Sequence, residues 1–135
     1  MSHAATSVTV SVPPFLPDWK DVEKGLPLAA LDKFSEYSGI AVKDLLEVVI
    51  PLRTLKHRRQ RNEPLSIDES DRLARVARIY ELAARVYKDR SDGRDWLLRP
   101  KRRFDGKTAL SMLRTSAGAQ AVQDSLIQID EGYFA

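Results

Sequence analysis

Between Leu52 and Arg61 the chain carries five cations, Arg53, Lys56, Arg58, Arg59 and Arg61, and no carboxylate. Thr54, His57 and Gln60 stand between them as hydrogen-bonding side chains. Such an imbalance calls for a polyanion or for solvent. If the segment winds as a helix with Leu52 and Leu55 turned to a core, a rotation of about 100° per residue sends Arg53, Thr54, His57, Gln60 and Arg61 outward and puts Lys56 and Arg58 on the flanks. Arg and Gln address base edges, while Arg and Lys also hold phosphates. Arg53, Thr54, Lys56, His57, Arg58, Gln60 and Arg61 are therefore the candidate DNA-binding residues. Arg59 falls on the side of Leu52 and is expected to lay its stem across the core edge with its head in water. The plain alternative is a solvated cationic surface helix. RNA fits less well, because the aromatics lie at helical intervals and form no strand-borne stacking platform.

Other constellations carry little chemistry. Asp68, Glu69 and Asp71 sit in a first helical turn, where the helix dipole accounts for them. The six glycines are scattered singly, so no loop cradles a phosphate. There is no cysteine, and the two histidines are His3 and His57. The expectation is no catalytic residue, no metal site and no cofactor. Arg99, Lys101, Arg102 and Arg103 form a second basic cluster, a solvated loop or a contact for an acidic surface. Arg72, Arg75 and Arg78 recur every third residue, either beside the DNA reader or on a wet helix face.

The elements that must position these groups read as all-α. Pro27 suits a first helical turn, Leu28, Leu31, Phe34 and Tyr37 follow at helical spacing, and Gly39 is a stop. Val42, Leu45, Leu46 and Val49 predict a second helix broken ahead of Pro51. The basic helix then closes at Asn62, Glu63 and Pro64. Ser66 and Glu69 make a capping box for a long helix with Leu73, Val76, Ala77, Tyr80, Ala83, Ala84 and Tyr87 on one stripe. Ile79, Leu82 and Val86 widen that stripe beyond what one neighbour covers, which argues for self-association. Ser91 or Asp92 is expected to cap a brief turn carrying Trp96, Leu97 and Leu98, which Pro100 ends. Thr108 and Thr115 cap two further helices, and Gly132 stops the last. Only Val8, Val10 and Val12 hint at strand alternation.

The 135 residues are 43% hydrophobic and 30% charged, the composition of a folding domain rather than a disordered chain. The net charge of +3 conceals a partition. Residues 1–50 carry four basic and seven acidic side chains, residues 51–103 carry sixteen and eight, and residues 104–135 carry two and four. A basic middle lies between acidic ends. Neither a signal peptide nor a run of about 18 apolar residues is present, and with the lack of cysteine this leads us to expect a cytoplasmic protein without a membrane partner.

Two stretches carry a family resemblance. Ile50-Pro51-Leu52-Arg53-Thr54-Leu55-Lys56-His57-Arg58-Arg59, followed by Leu65-Ser66-Ile67-Asp68-Glu69-Ser70-Asp71-Arg72-Leu73-Ala74-Arg75, resembles antitoxins of the Xre, MbcA and ParS group. Independently, Trp96-Leu97-Leu98, Pro100, Gly106-Lys107-Thr108-Ala109-Leu110-Ser111-Met112-Leu113, Thr115, Gly118 and Ile129-Asp130-Glu131-Gly132-Tyr133 look like that group's toxin-binding domain. Departures are Lys101 to Phe104 in place of Asn and small apolar residues, Asp105 for Gly, Ala109 for Pro, and Val49 where a helix-turn-helix commonly has Gly.

The resemblance implies an antitoxin paired with a RES-domain toxin, similar in fold to ADP-ribosyltransferases and acting on NAD. Such an antitoxin dimerises, covers the toxin's active site with its C-terminal region and represses its own operon through a helix-turn-helix. It implies a toxin-binding set of Asp130, Glu131, Gly132, Tyr133, Phe134 and Ala135, whose acids and aromatic rings suit the phosphate and ring subsites of a dinucleotide cleft. Packing of Tyr133 and Phe134 on the chain's own dimer is the other account of that tail. The expected organisation is a flexible N-terminal arm over residues 1–25, a helix-turn-helix DNA-binding domain over 26–63 and a helical dimerisation and toxin-binding domain over 64–135. A free-standing dimeric repressor without a toxin partner, bound to operator duplex DNA, is the alternative function.

Overall fold

A computed structural model describes residues 15–132, and among these the chain is helical with no strand. The elements are α1 (Trp19–Lys24), α2 (Ala29–Ser38), α3 (Val42–Leu45), α4 (Leu52–Arg61), α5 (Ile67–Tyr87), α6 (Arg90–Leu98), a 3₁₀ turn (Arg102–Phe104), α7 (Ala109–Met112) and α8 (Ser116–Asp130). Val8, Val10 and Val12 lie outside the described residues. Among the described residues no helix is long and apolar enough to cross a membrane.

The long α5 is the spine. Its start is fixed as expected: Ser66 Oγ accepts from the Glu69 amide at 3.1 Å, and the Glu69 carboxylate accepts from the Ser66 amide at 2.8 Å. Leu73, Val76, Ala77, Ile79, Tyr80 and Ala83 are all buried along it. The wide apolar stripe has an explanation within the chain, because α1, α2, α6 and α8 all pack on α5. Phe34 from α2 meets Tyr80 edge-on at 5.9 Å between ring centroids, and Phe15 covers Phe34 at 5.4 Å. Where α6 crosses α5, Gly93 is the contact, and a β-carbon there would lie 2.8 Å from the Ala83 carbonyl carbon and the Ala84 amide. Only glycine admits that approach.

Local signals placed most boundaries. Asn62 ends α4 in the left-handed region, which Asn tolerates. Thr108 Oγ1 accepts from the Ser111 amide and Thr115 Oγ1 from the Gly118 amide, capping α7 and α8. Gly132, at φ 83°, lies two residues past the end of α8.

Three local readings need correction. The second helix does not run to Val49: it ends at Leu45, after which Leu46 is extended and Glu47 takes φ 70°. Val48, Val49 and Ile50 are all buried, and three consecutive side chains cannot share one face of a helix, so the backbone must leave helical geometry to bury them. The cap of α6 is Asp89, whose carboxylate accepts from the Asp92 amide at 2.9 Å, rather than Ser91 or Asp92; Lys88 in the left-handed region turns the chain within two residues. Helix α1 was not anticipated, although Asp18 and Asp21 form a reciprocal capping box that marks it.

Candidate functional site

Helix α4 follows the turn that α3 begins. The turn is pinned from two directions. The Glu47 amide donates to the Ile50 carbonyl at 3.1 Å, and Arg72 of α5 donates through Nε to the Val49 carbonyl at 3.0 Å. Val49 itself, where Gly was the familiar residue, needs no left-handed backbone, because Glu47 takes that conformation two residues earlier.

Within α4, Leu55 is the buried residue at 1% exposure, whereas Leu52 is 43% exposed. The helix is thus rotated from the expected orientation, in which both leucines faced the core. Taking Leu52 as zero, Lys56, Gln60, Arg53 and His57 follow at roughly 40°, 80°, 100° and 140° around the axis. All five are exposed and line one shallow groove of about 310 Å³. Arg61 extends this face at roughly 180°, and Arg59 is also exposed on its other edge.

Two of the candidate DNA-binding residues, Thr54 and Arg58, turn toward the protein and are half-buried. Arg58 forms a bidentate pair with Glu69 of α5, Nε to Oε1 and Nη2 to Oε2 both at 3.1 Å, and lies 3.6 Å from Glu63. Burial pushes the Glu69 carboxyl up, but the Arg58 fork and the Ser66 amide more than offset it and hold it below the usual carboxylate range. The pair fastens α4 to α5, so Arg58's charge is answered within the chain. The groove keeps Arg53, Lys56, His57 and Gln60 together.

The arginines of α5 divide similarly. Arg72 braces the turn before α4. Arg75 donates from Nη1 to the carbonyls of Leu113 and Arg114 at the end of α7 and pairs with Asp71 at 2.9 Å. Arg78 is exposed. One helical turn of α5 therefore holds the α3–α4 turn with one arginine and the α7–α8 junction with the next.

In the second basic cluster, Lys101 places Nζ 4.3 Å from the centroid of the Trp96 ring and donates to the Arg99 carbonyl at 3.2 Å. Burial, followed by the fields of Arg99 and Arg103, lowers its pKa to about 8. Asp105 carries φ 56° and Gly106 φ 84°, so the loop turns through two left-handed residues. Between this loop and α8 runs a groove of about 600 Å³ with Phe104, Met112 and Ala121 as apolar lining and Arg103, Asp105, Lys107 and Asp124 as charged lining. Sequence spacing gave no sign of it, because three separate segments build it.

Of the candidate toxin-binding residues, Asp130, Glu131 and Gly132 are exposed at the end of α8. Tyr133, Phe134 and Ala135 lie outside the described residues. Among the described residues no group of three or more His, Cys, Asp or Glu is placed to hold a metal ion.

Two family models account for this arrangement. One, described as an antitoxin Xre-like helix-turn-helix domain, matches residues 20–78. The other, an antitoxin Xre/MbcA/ParS C-terminal toxin-binding domain, matches residues 82–132. The Antitoxin Xre of Pseudomonas putida KT2440 is 41% identical over 112 residues, covering 83% of this chain and 70% of that protein. This chain belongs to the Xre antitoxin family. A further Antitoxin Xre, from Photorhabdus laumondii, is 30% identical over 113 residues, covering 82% of this chain and 76% of its own length. One from Yersinia enterocolitica is 25% identical over 116 residues. The two domain matches adjoin inside α5, so the helix-turn-helix and the toxin-binding domain of this Xre antitoxin share one continuous helix.

Proposed function

We propose that this antitoxin neutralises a RES-domain, NAD-consuming toxin by covering its active site with the C-terminal region, and that it represses its own operon by binding duplex DNA through α4. The observation carrying this reading is the tandem of a helix-turn-helix domain and a toxin-binding domain on one helix. The RES identity of the toxin rests on the sequence resemblance. The exposed Asp130 and Glu131 support a role for the end of α8, since a dinucleotide cleft offers cationic phosphate subsites to acidic groups. Within the helix-turn-helix domain matched over residues 20–78, α4 presents Arg53, Lys56, His57, Gln60 and Arg61 to DNA, while the helices that follow serve dimerisation and toxin capture. A homodimer presents two copies of α4 to two half-sites, as paired helix-turn-helix readers do.

Expression of the chain from its native locus, followed by purification, tests the pairing. A RES-domain protein is expected to accompany it, and co-expression is expected to relieve that protein's toxicity. A variant lacking residues 132–135 is expected to fold and to lose protection. A clean homodimer that binds operator DNA tightly and protects against no neighbouring gene product returns the free-standing repressor instead.

A further inference from the structure

We propose that Leu52 is a base-reading residue that packs on the 5-methyl group of a thymine in the major groove. The inference rests on the reading that α4 faces DNA. An exposed leucine is ordinarily unremarked, since much of any protein surface is apolar. Its setting separates Leu52 from that background. It is 43% exposed at the first position of α4, while Leu55, one turn on, is fully buried. It lines the same concavity as Arg53, Lys56, His57 and Gln60.

A protein partner docking an apolar side chain there would have to desolvate the cations around it, and α4 offers no carboxylate to balance them. A DNA major groove presents the complementary combination. Phosphates meet the cations, and the thymine methyl is an apolar group among the hydrogen-bonding atoms of the base edges. Helix-turn-helix readers direct the N-terminal residues of the second helix at base edges, which is where Leu52 stands. Neighbouring Arg53 and Gln60 are suited to the guanine and adenine edges. The apolar residue thus distinguishes thymine from cytosine at its position, a distinction that phosphate contacts do not make.

The experiment uses the full chain and a random-sequence duplex pool. After selection, the enriched site is synthesised with each thymine replaced singly by deoxyuridine, which removes only the methyl group. Affinities are read by fluorescence anisotropy for the natural chain and for Leu52→Ala, with thermal melts confirming that both fold. The expected result is a recurring thymine in each half-site whose replacement weakens the natural chain about fourfold, the equivalent of one buried methyl group. Leu52→Ala is expected to lose a comparable factor on the thymine duplex and nothing further on the deoxyuridine duplex.

An enriched site with no thymine whose methyl matters overturns the proposal, as does a Leu52→Ala protein that remains as sensitive to deoxyuridine as the natural chain. A pool that yields no enriched sequence removes the DNA reading of α4 itself, and the Leu52 assignment with it. The deoxyuridine scan on the natural chain alone still decides the matter if the variant fails to fold.

Discussion

Replacing Arg58 by Ala removes the guanidinium that meets the Glu69 carboxylate through two hydrogen bonds of 3.1 Å. The Glu69 side chain is 7% exposed and that of Arg58 26%. Breaking a fully buried pair costs about 3–5 kcal/mol, because the remaining charge stays desolvated. Water reaches the Arg58 side and the Ser66 amide still donates to Glu69, so a cost of about 2–3 kcal/mol is expected. For a chain of this size that lowers the melting midpoint by roughly 6–12 °C. Thermal and urea denaturation followed by circular dichroism measure it.

The pH dependence supplies an independent check. The folded Glu69 carboxyl titrates below its ordinary 4.5, so its stabilising contribution is present above the unfolded value and is lost as pH falls through the lowered folded value. The stability gap between the natural chain and Arg58→Ala is therefore expected to be full at pH 7 and to narrow below about pH 4.5. Glu69→Gln should behave at pH 7 much as the natural chain behaves in acid. A loss below about 0.5 kcal/mol, or a gap that is the same at both pH values, would refute the assignment of Arg58 as the fastening between α4 and α5.

Other expectations follow from the same contacts. Arg53→Ala or Lys56→Ala is expected to weaken DNA binding and, for a residue that meets phosphate, to flatten the slope of log affinity against log salt by about one unit; a combined Arg53, Lys56 and Arg61 substitution that leaves affinity unchanged would remove α4 as the reader. Gly93→Ala places a β-carbon 2.8 Å from the backbone of α5, and a destabilisation of about 1–3 kcal/mol is expected in urea, with an unchanged midpoint counting against the close crossing. Tyr37 donates to the Glu81 carboxylate at 2.6 Å, and burial together with that carboxylate pushes its pKa up to about 12. Its stabilising contribution is present below the ordinary value of 10 and is lost as pH rises toward 12; burial raises Tyr87 as well, so ultraviolet titration should show late tyrosine absorbance that shrinks by one residue in Tyr37→Phe.

What the sequence determined by itself was set by interactions within about four residues along the chain. Ser66 with Glu69, Thr108 and Thr115 each satisfy amides of their own first turn, and Asn62 accepts a left-handed backbone with no help from elsewhere, so these caps were legible in the order of residues. The Asp18 and Asp21 box in front of α1 was equally local and went unread only because no apolar stripe followed it. The cationic character of α4 and the two halves of the Xre resemblance were likewise present in one dimension.

Tertiary structure decided which face those charges present. With only Leu52 and Leu55 as apolar residues, the rotation of α4 could not be fixed internally. The demand to bury Val48, Val49 and Ile50 cut α3 short, and α5 placed Glu69 to receive Arg58; together they fixed the orientation. The same packing assigned Arg72 and Arg75 to carbonyls contributed by residues 23 or more positions away, Arg75 being paired with Asp71 as well. It also assembled the groove between the basic loop and α8. Charge can be counted along a sequence, but whether a guanidinium is answered by a buried carboxylate, a backbone carbonyl or solvent depends on distances that only the folded chain sets.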